Sequence, residues 1–364
     1  MRVLSLFDGM SCGRLALDRV GIPVTEYHAC EIDKYAIQVS KANYPDIIHH
    51  GSVVGYSPDF KVDLLMGGSP CQGFSFAGKQ LNFDDPRSKL FFEFVRILKE
   101  CKPKYFLLEN VKMKKEYEDV ISEALGVQPI KINSSLVSAQ NRQRLYWTNI
   151  PNITQPEDRG IFWGDVREYG VETETYYYTE AAMQWLARHS VRKNKLLSVH
   201  LDIEKMQMLE ASMYKKYSAQ RFFGVVDVPE QGIGAVRGRY IINGIRQDAK
   251  QKVAGLTTQY LEFRYDGKTN SLTTVSKDNV VVPFTLPERI PASEFMFRYI
   301  TPIECERLQT VPDNYTNHVS NTQRYKMLGN GWTVDVISHI LGGIHEATHV
   351  AKTAFCIHVK LICT

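Results

Sequence analysis

Between residues 1 and 150, short apolar runs alternate with segments of helical period, and this restricts the fold more than any other property of the chain. Arg2-Val-Leu-Ser-Leu-Phe7 reads as a buried strand, and Arg14 to Val20 as a helix closed by Gly21. Glu26 to Cys30 reads as the next strand and Lys34 to Asn43 as the next helix. Strands are expected over 62–66 and 105–108, with a helix over 88–101 between them. A helix over 118–125 and a late strand over 144–150 complete the series. Strands alternating with helices over short connections build a parallel sheet covered on both faces. The expected class is α/β, doubly wound and mostly parallel.

The alternation stops near Pro151. Residues 152–295 mix basic residues, Tyr176-Tyr-Tyr178 and short β-branched runs such as Leu272-Thr-Thr-Val275 and Val280-Val-Val282. Seven glycines between 224 and 267 break this segment into turns. A helix is expected over 202–216; otherwise the segment reads as a separate, irregular, strand-rich lobe. Helical signals return over Pro302 to Leu308 and Thr333 to Ile344. The expected organisation is a domain over 1–154, a lobe over 155–295, a return to the first domain over 296–348, and an apolar tail over 349–364 with no assigned role.

Composition narrows the function classes. With 364 residues, 44% of them apolar and 23% charged, the chain can bury a core and falls in the ordinary range for soluble proteins. No stretch is long and apolar enough to cross a bilayer, and Met1-Arg-Val-Leu-Ser lacks the layout of a secretion signal. Seven irregularly spaced cysteines argue against a disulfide framework and against structural zinc, so a reducing, cytoplasmic setting without a metal is expected. The net charge of +4 is unevenly spread: residues 181–300 hold 18 Lys and Arg against 11 Asp and Glu. A basic lobe beside a mildly acidic remainder fits a polyanionic partner, although a solvated basic surface fits the charge alone as well.

Several segments carry chemistry. Gly67-Gly-Ser-Pro-Cys-Gln-Gly-Phe-Ser75 puts Cys71 behind a turn at the end of an apolar run. Pro70 fixes its own φ and pushes Ser69 toward extended backbone, so the thiol is aimed by the chain itself. Phe7-Asp-Gly-Met-Ser-Cys-Gly13 links the first strand to the first helix, where glycines let a loop hug a nucleotide-like ligand. Glu31, ending the second strand, stands where an acidic side chain accepts ribose hydroxyls. These two features favour an adenosine-bearing cofactor and do not separate a nicotinamide from S-adenosylmethionine. Glu109-Asn-Val111 and Gln140-Asn-Arg-Gln-Arg144 add a carboxyl and two guanidiniums. In open α/β sheets ligands bind outside the carboxyl ends of the strands, so Cys71 and Glu109 should share one crevice as nucleophile and proton-handling group. Each segment alone is more often a structural ion pair, a buried thiol or a solvated strand edge; their order along the chain is the specific signal.

In that order, the chain resembles the DNA (cytosine-5)-methyltransferase family over most of its length. Phe7 to Gly13 looks like the family's cofactor loop, Gly68-Ser-Pro-Cys-Gln72 like its Pro-Cys loop, Glu109-Asn-Val111 like its Glu-Asn-Val, and Gln140 to Arg144 like its Gln-x-Arg-x-Arg. Arg298 to Pro312, with Glu304, Arg307, Leu308 and Gln309, resembles the motif that follows the recognition lobe, and Leu328-Gly-Asn330 the last motif. Val137-Ser-Ala139, Tyr146-Trp147 and Gly331-Trp332 lean toward the animal de novo branch and toward phage enzymes. Without chromatin-reading domains, a stand-alone bacterial or phage enzyme is expected.

The resemblance implies a Rossmann-like fold, S-adenosylmethionine as methyl donor, S-adenosylhomocysteine as product, and methylation of cytosine C5 at a specific duplex DNA sequence. It implies that Cys71, set by Pro70, adds to C6 of a flipped-out cytosine. Glu109 would bond the N3 and amino edge, with Arg142 and Arg144 toward the O2 side. The implied cofactor residues are Phe7, Asp8, Gly9, Met10, Ser11, Cys12 and Gly13, with Glu31, Ile32, Ser52 and Val53. Gly68, Pro70, Leu90, Asn330, Gly331 and Trp332 join them. Gln72, Ser75, Lys79 and Gln80 are expected to close over DNA. Arg237, Arg239, Arg246, Lys250, Lys252 and Lys277 are the expected phosphate contacts. Three departures from the family pattern all concern the cofactor: Ser52 replaces a common Asp, Ile32 a frequent aromatic, and Gly331-Trp332 a Ser-Val pair. A monomer is expected, with a cognate restriction endonuclease as a candidate partner. Two further readings stay open: a transfer-RNA cytosine-5 methyltransferase, which the large basic lobe argues against, and an inactive DNA-binding paralogue, which the intact Pro70-Cys71, Glu109 and Arg142/Arg144 set argues against.

Overall fold

A computed structural model describes residues 1–69, 86–168 and 300–345, without the side chains of 86–89 and 163, together with the backbone of nine short strands between 198 and 291. The chain forms two compact units, one of Met1–Ile161, Gln207–Ala211 and Glu306–Thr364, the other of Phe162–Met206 and Ser212–Cys305.

The first unit is built on one twisted sheet. Its strands are β1 (Arg2–Leu6), β2 (Glu26–Cys30), β3 (Ile48–His49), β4 (Leu64–Gly67), β5 (Tyr105–Val111), β6 (Ile130–Asn133) and β8 (Gln143–Thr148), the short β7 being Gln140–Asn141. They lie in the order β3-β2-β1-β4-β5-β8-β6. From β3 to β5 every pairing is parallel, whereas β8 runs antiparallel to both β5 and β6. The alternation predicts the parallel part; the reversed β8 needs only a short return from β6, and a short apolar run does not carry its direction. Strand order reverses between β1 and β4, which opens a crevice at their carboxyl ends.

Helices α1 (Cys12–Arg19), α2 (Lys34–Asn43), α3 (Pro86–Cys101) and α4 (Lys115–Leu125) join the parallel strands. Asp33 caps α2, accepting the Tyr35 N–H at 2.9 Å, and Gly126, at φ 71°, closes α4 in the left-handed conformation. One face of the sheet is dry: Phe91, Phe94 and Ile97 of α3 and Tyr117, Ile121 and Leu125 of α4 pack with Leu4, Leu6, Leu65, Phe106, Leu108 and Trp147. The Trp147 indole is satisfied by Ser122 Oγ at 2.9 Å. Against the other face lies α1, so close that a Cβ on Gly13 would stand 2.6 Å from Met66 Cε.

The segment after 306 returns to this unit. A helix spans Asn321–Asn330 and another residues 334–345, the latter burying Val334, Ile337, Leu341 and Ile344 at helical spacing. Gly343 permits its close approach to the exit of β8, since a Cβ there would stand 2.6 Å from the Pro151 carbonyl oxygen. Tyr315 Oη donates to the Met10 carbonyl at 2.8 Å, joining the return segment to the loop after β1. Helix Asn321–Asn330 and strand β6 are not apparent from apolar periodicity, because both are short and carry few apolar residues.

The described residues of the second unit include several strands. Strand Gly232–Arg239 pairs antiparallel with Thr258–Arg264 and with Val280–Val282, and Arg289–Pro291 adds to the far side of Thr258–Arg264. Arg237 stands opposite Tyr260, Arg239 opposite Thr258, and Arg246 opposite Ile241 in the hairpin of Ile241–Ile242 and Ile245–Arg246. Within the helix expected over 202–216, residues Met206–Gln207 are extended, and most of that expectation lies outside the described residues. Lys250, Lys252 and Lys277 lie outside them too, as do the strand expected over 272–275 and the tail over 349–364.

Candidate active site

The loop after β1 is wound by alternate left-handed residues: Phe7, Gly9 and Ser11 have φ of 58°, 61° and 62°. For a bulky residue such as Phe7 this conformation costs about 1–3 kcal/mol and persists only where the surroundings impose it. Hydrogen bonds to the end of β2 do so here. The Asp8 N–H reaches the Cys30 carbonyl at 3.2 Å, and the Gly9 N–H reaches Glu31 Oε2 at 2.8 Å. Glu31 Oε1 also accepts the N–H groups of Ile32 and Asp33 at 2.7 and 2.8 Å. Asp8 accepts from Tyr27 Oη at 2.7 Å and from Ser11 Oγ, which itself lies 2.6 Å from Ser40 Oγ. Burial raises the Asp8 pKa to about 6, with the Glu31 charge adding to the shift and the hydroxyl donors opposing it.

At the end of β4, Gly68 and Ser69 lead toward the expected nucleophile. Asn110 holds this exit, its Nδ2 donating to Ser69 Oγ at 3.2 Å while its Oδ1 accepts the Val111 N–H at 2.8 Å. Pro70, Cys71, Gln72, Ser75, Lys79 and Gln80 lie outside the described residues.

Antiparallel pairing of β5 with β8 places Glu109 opposite Tyr146 and Val111 opposite Arg144. Glu109 and Arg144 are therefore diagonal neighbours on one face. Arg144 Nε meets Glu109 Oε1 at 2.9 Å, with the two side chains 9% and 12% exposed. The beginning of β8 thus orients the carboxylate at the end of β5. Burial, reinforced by the Glu109 charge, pushes the Tyr146 hydroxyl above its ordinary range, so that hydroxyl stays protonated.

Arg142 reaches in another direction. Its terminal nitrogens donate to the carbonyls of Gly329 and Gly331 at 3.2 and 3.0 Å. Gln140 Nε2 donates to the Leu308 carbonyl at 3.0 Å, and Gln309 Nε2 to the Leu328 carbonyl at 2.6 Å. Thr333 Oγ1 bonds Gln309 Oε1 at 2.9 Å. The polar residues of the segment 140–144 thereby fasten the turn 328–333, which presents Trp332 to the site. Gly68 lies between Trp332 and Glu109: a Cβ there would stand 2.9 Å from Trp332 Nε1 and 3.1 Å from Glu109 Oε2.

These elements enclose a cavity of about 350 Å³ at the carboxyl ends of β1, β2, β4 and β5. Of the residues expected from sequence, Phe7, Asp8, Gly9, Met10, Cys12, Glu31, Gly68, Glu109, Arg142, Arg144, Asn330, Gly331 and Trp332 line it. Six others do not. Ser11 braces Asp8, and Gly13 packs against Met66. Val53 belongs to the core cluster and Leu90 packs on it. Ile32 is 78% exposed, and Ser52 Oγ accepts the Val54 N–H at 3.1 Å. The cavity also takes in Asp33, Gln323, Lys326 and Met327, which sequence reasoning missed. The last three sit at i, i+3 and i+4 of the helix leading into Gly329-Asn330, and that spacing was the available signal. Burial raises the Cys12 thiol to about 12, so it stays protonated in the cavity wall.

A family model for C-5 cytosine-specific DNA methylases matches residues 1–346. The chain belongs to that family. Its activity is that of a DNA (cytosine-5)-methyltransferase, and the family uses S-adenosylmethionine. The type II methyltransferase M1.ScrFI of Lactococcus lactis subsp. cremoris is 29% identical, the match covering 96% of this chain and 79% of that protein. The orphan methyltransferase M.SPRI of Bacillus phage SPR is 29% identical over 93% of this chain and 96% of its own, and the type II methyltransferase M.HpaII of Haemophilus parainfluenzae 26% over 92% and 86%. Among solved structures, the Entamoeba histolytica methyltransferase EhMeth matches with a TM-score of 0.67 at 16% identity, covering 96% of this chain and 98% of that one. Spodoptera frugiperda DNMT2 matches at 0.62 and 20%, covering 94% and 99%; both likenesses concern the fold.

The cavity of this methylase suits its methyl donor. Its volume falls in the usual range for small-molecule sites, a glycine lets backbone close on it, and aromatic and thioether side chains alternate with carboxylates around it. Among the described residues no group of three metal ligands occurs, and no helix is long and apolar enough to cross a membrane.

Proposed function

We propose that this methylase binds S-adenosylmethionine in the β1–β4 crevice, with Glu31 toward the ribose, and modifies a cytosine flipped out of duplex DNA. When bound, the cofactor supplies an electrophilic methyl group on a sulfonium. Cytosine C5 is a poor nucleophile, so the protein must feed electrons into the ring. The Cys71 thiolate forms a bond to C6 and, after C5 has gained its methyl and lost its proton, breaks that bond and leaves. Glu109 accepts a hydrogen bond from the amino group and, as the carboxylic acid, gives its proton to N3, which neutralises the negative charge that thiolate addition puts on the ring. Arg144 keeps the Glu109 carboxylate oriented, and Arg142 holds the turn that carries Trp332. Extrusion of the base costs about a few kcal/mol, recovered through contacts from the loop after Cys71.

One observation carries the reading: the Glu109–Arg144 pair, 2.9 Å apart, stands beside Gly68 on the cavity wall, three residues before Cys71. The basic segment 155–295 supplies phosphate contacts and reads the target sequence, with Arg237, Arg239 and Arg246 on its strands and Lys250, Lys252 and Lys277 among the further candidates. The protein acts in the cytoplasm as a monomer, as a stand-alone methyltransferase of the bacterial and phage kind. Tritium transfer from labelled S-adenosylmethionine tests this reading: label should enter duplex DNA and not transfer RNA. Cys71→Ser should abolish transfer while leaving DNA binding in place, and transfer to RNA alone would contradict the assignment of substrate.

A further inference from the structure

We propose that Asp8 is a specificity-determining residue that shifts the site's relative affinity toward the cationic methyl donor and away from its neutral thioether product. This rests on the reading of the cavity as the cofactor site. Donor and product share their nucleoside and amino-acid parts and differ by one methyl group and one positive charge on sulfur. A carboxylate whose charge is not already neutralised distinguishes the two directly.

Among the described residues, the charged groups on the cavity wall are spoken for, with one exception. Lys326 Nζ pairs with Asp33 Oδ2 at 2.7 Å, and Arg144 with Glu109 at 2.9 Å. Arg142 is held by the Gly329 and Gly331 carbonyls, and Glu31 by three backbone N–H groups. Asp8 is held by the hydroxyls of Tyr27 and Ser11, and among the described residues no Lys or Arg pairs with it. Hydroxyl donors orient a carboxylate without cancelling its charge, so Asp8 keeps its field for a bound cation.

The same surroundings make the charge depend on pH. Burial brings the Asp8 pKa up to about 6, aided by Glu31 and opposed by Ser11, Ser5 and Tyr27. Around it, burial raises Cys12 on α1 and Cys30 on β2 to about 12, and lifts the Tyr27 and Tyr315 hydroxyls far above their ordinary value, so these stay neutral as Asp8 titrates. Above pH 6 Asp8 is ionised and the donor is favoured. Below it the carboxyl is neutral and the preference fades. A bound sulfonium in turn lowers the Asp8 pKa, so donor binding near pH 6 releases protons and product binding does not.

Titration calorimetry with S-adenosylmethionine and S-adenosylhomocysteine between pH 5 and pH 8 tests the proposal. The ratio of the product's to the donor's dissociation constant should rise on the order of ten-fold across that range, as expected for one nearby unit charge. In Asp8→Asn the ratio should stay flat at its low-pH value. Tyr27→Phe keeps the carboxylate and removes one donor, so the midpoint of the rise should move to higher pH. A pH-independent ratio in the unmodified protein, an undiminished rise in Asp8→Asn, or an unmoved midpoint in Tyr27→Phe overturns the proposal. Parallel loss of both affinities on acidification overturns it too, by placing Asp8 at the amino group the two ligands share. If neither ligand binds at any pH, the reading of the cavity falls with it.

Discussion

Gly68 is the residue at which the site tolerates least change. An alanine Cβ would press on the Trp332 indole at 2.9 Å and on Glu109 Oε2 at 3.1 Å. Neither neighbour moves freely, since Glu109 is paired with Arg144 and the turn carrying Trp332 is pinned by Arg142 and Gln309. Gly68→Ala should cost about 1–3 kcal/mol of stability, the range for overpacking, and reduce kcat by a larger factor; urea unfolding beside steady-state kinetics checks both. Glu109→Gln keeps the shape and a hydrogen bond to Arg144 and removes the proton that can be transferred to N3. It should lower kcat by about 10²–10⁴-fold, the loss typical of a general acid, with DNA affinity unchanged in a gel-shift titration. Glu31, Glu109 and Arg144 are legible in the sequence because each sits at a strand end, where the fold class itself predicts a ligand crevice. Lys326 and Met327 are not, because they arrive from a helix some 300 residues away whose own pattern carries little apolar signal. Ser52, Val53 and Ile32 show the reverse. They fall at family positions by order along the chain, two of them with a different residue type, and their side chains lie on the surface or in the core, outside the cavity.

At the scale of elements, the site depends on how the return segment is anchored. Glu306, fully buried, accepts the Asn314 and Thr316 N–H groups at 2.7 and 2.8 Å, the Thr316 hydroxyl, and Arg324 at 2.9 Å. This network fixes the residues on either side of Tyr315, whose hydroxyl holds the Met10 carbonyl in the loop after β1. Arg324→Leu would strand a buried carboxylate, and the expected loss is about 3–5 kcal/mol in urea denaturation. Donor affinity measured by calorimetry should fall as well, because the loop after β1 loses a brace. Most elements of the first 150 residues follow from apolar period and glycine punctuation. What the pattern does not carry is pairing direction: the run over 144–150 reads as a strand, but only tertiary packing sets β8 antiparallel between β5 and β6. That reversal brings Arg144 beside Glu109, so the detail least visible in the sequence is the one that completes the ion pair.

For the whole molecule, the uneven charge suggests two parts with different tasks; the chain forms two compact units. If the basic segment neutralises phosphates, DNA affinity should fall steeply with salt. Replacing Arg237 and Arg239 together by Ala should flatten the log K against log salt slope by about 2; an unchanged slope would remove both from the phosphate contacts. The central claim joins the two parts, namely that addition of the thiol of residue 71 to C6 lets cytosine C5 take a methyl group in a chosen sequence of DNA. Bisulfite sequencing of plasmid DNA from cells expressing the chain tests it directly. The account predicts cytosines protected from conversion at one recurring short sequence with the unmodified protein, and none with Cys71→Ser. Protection that persists in Cys71→Ser, or none at any site with the unmodified protein, would contradict it.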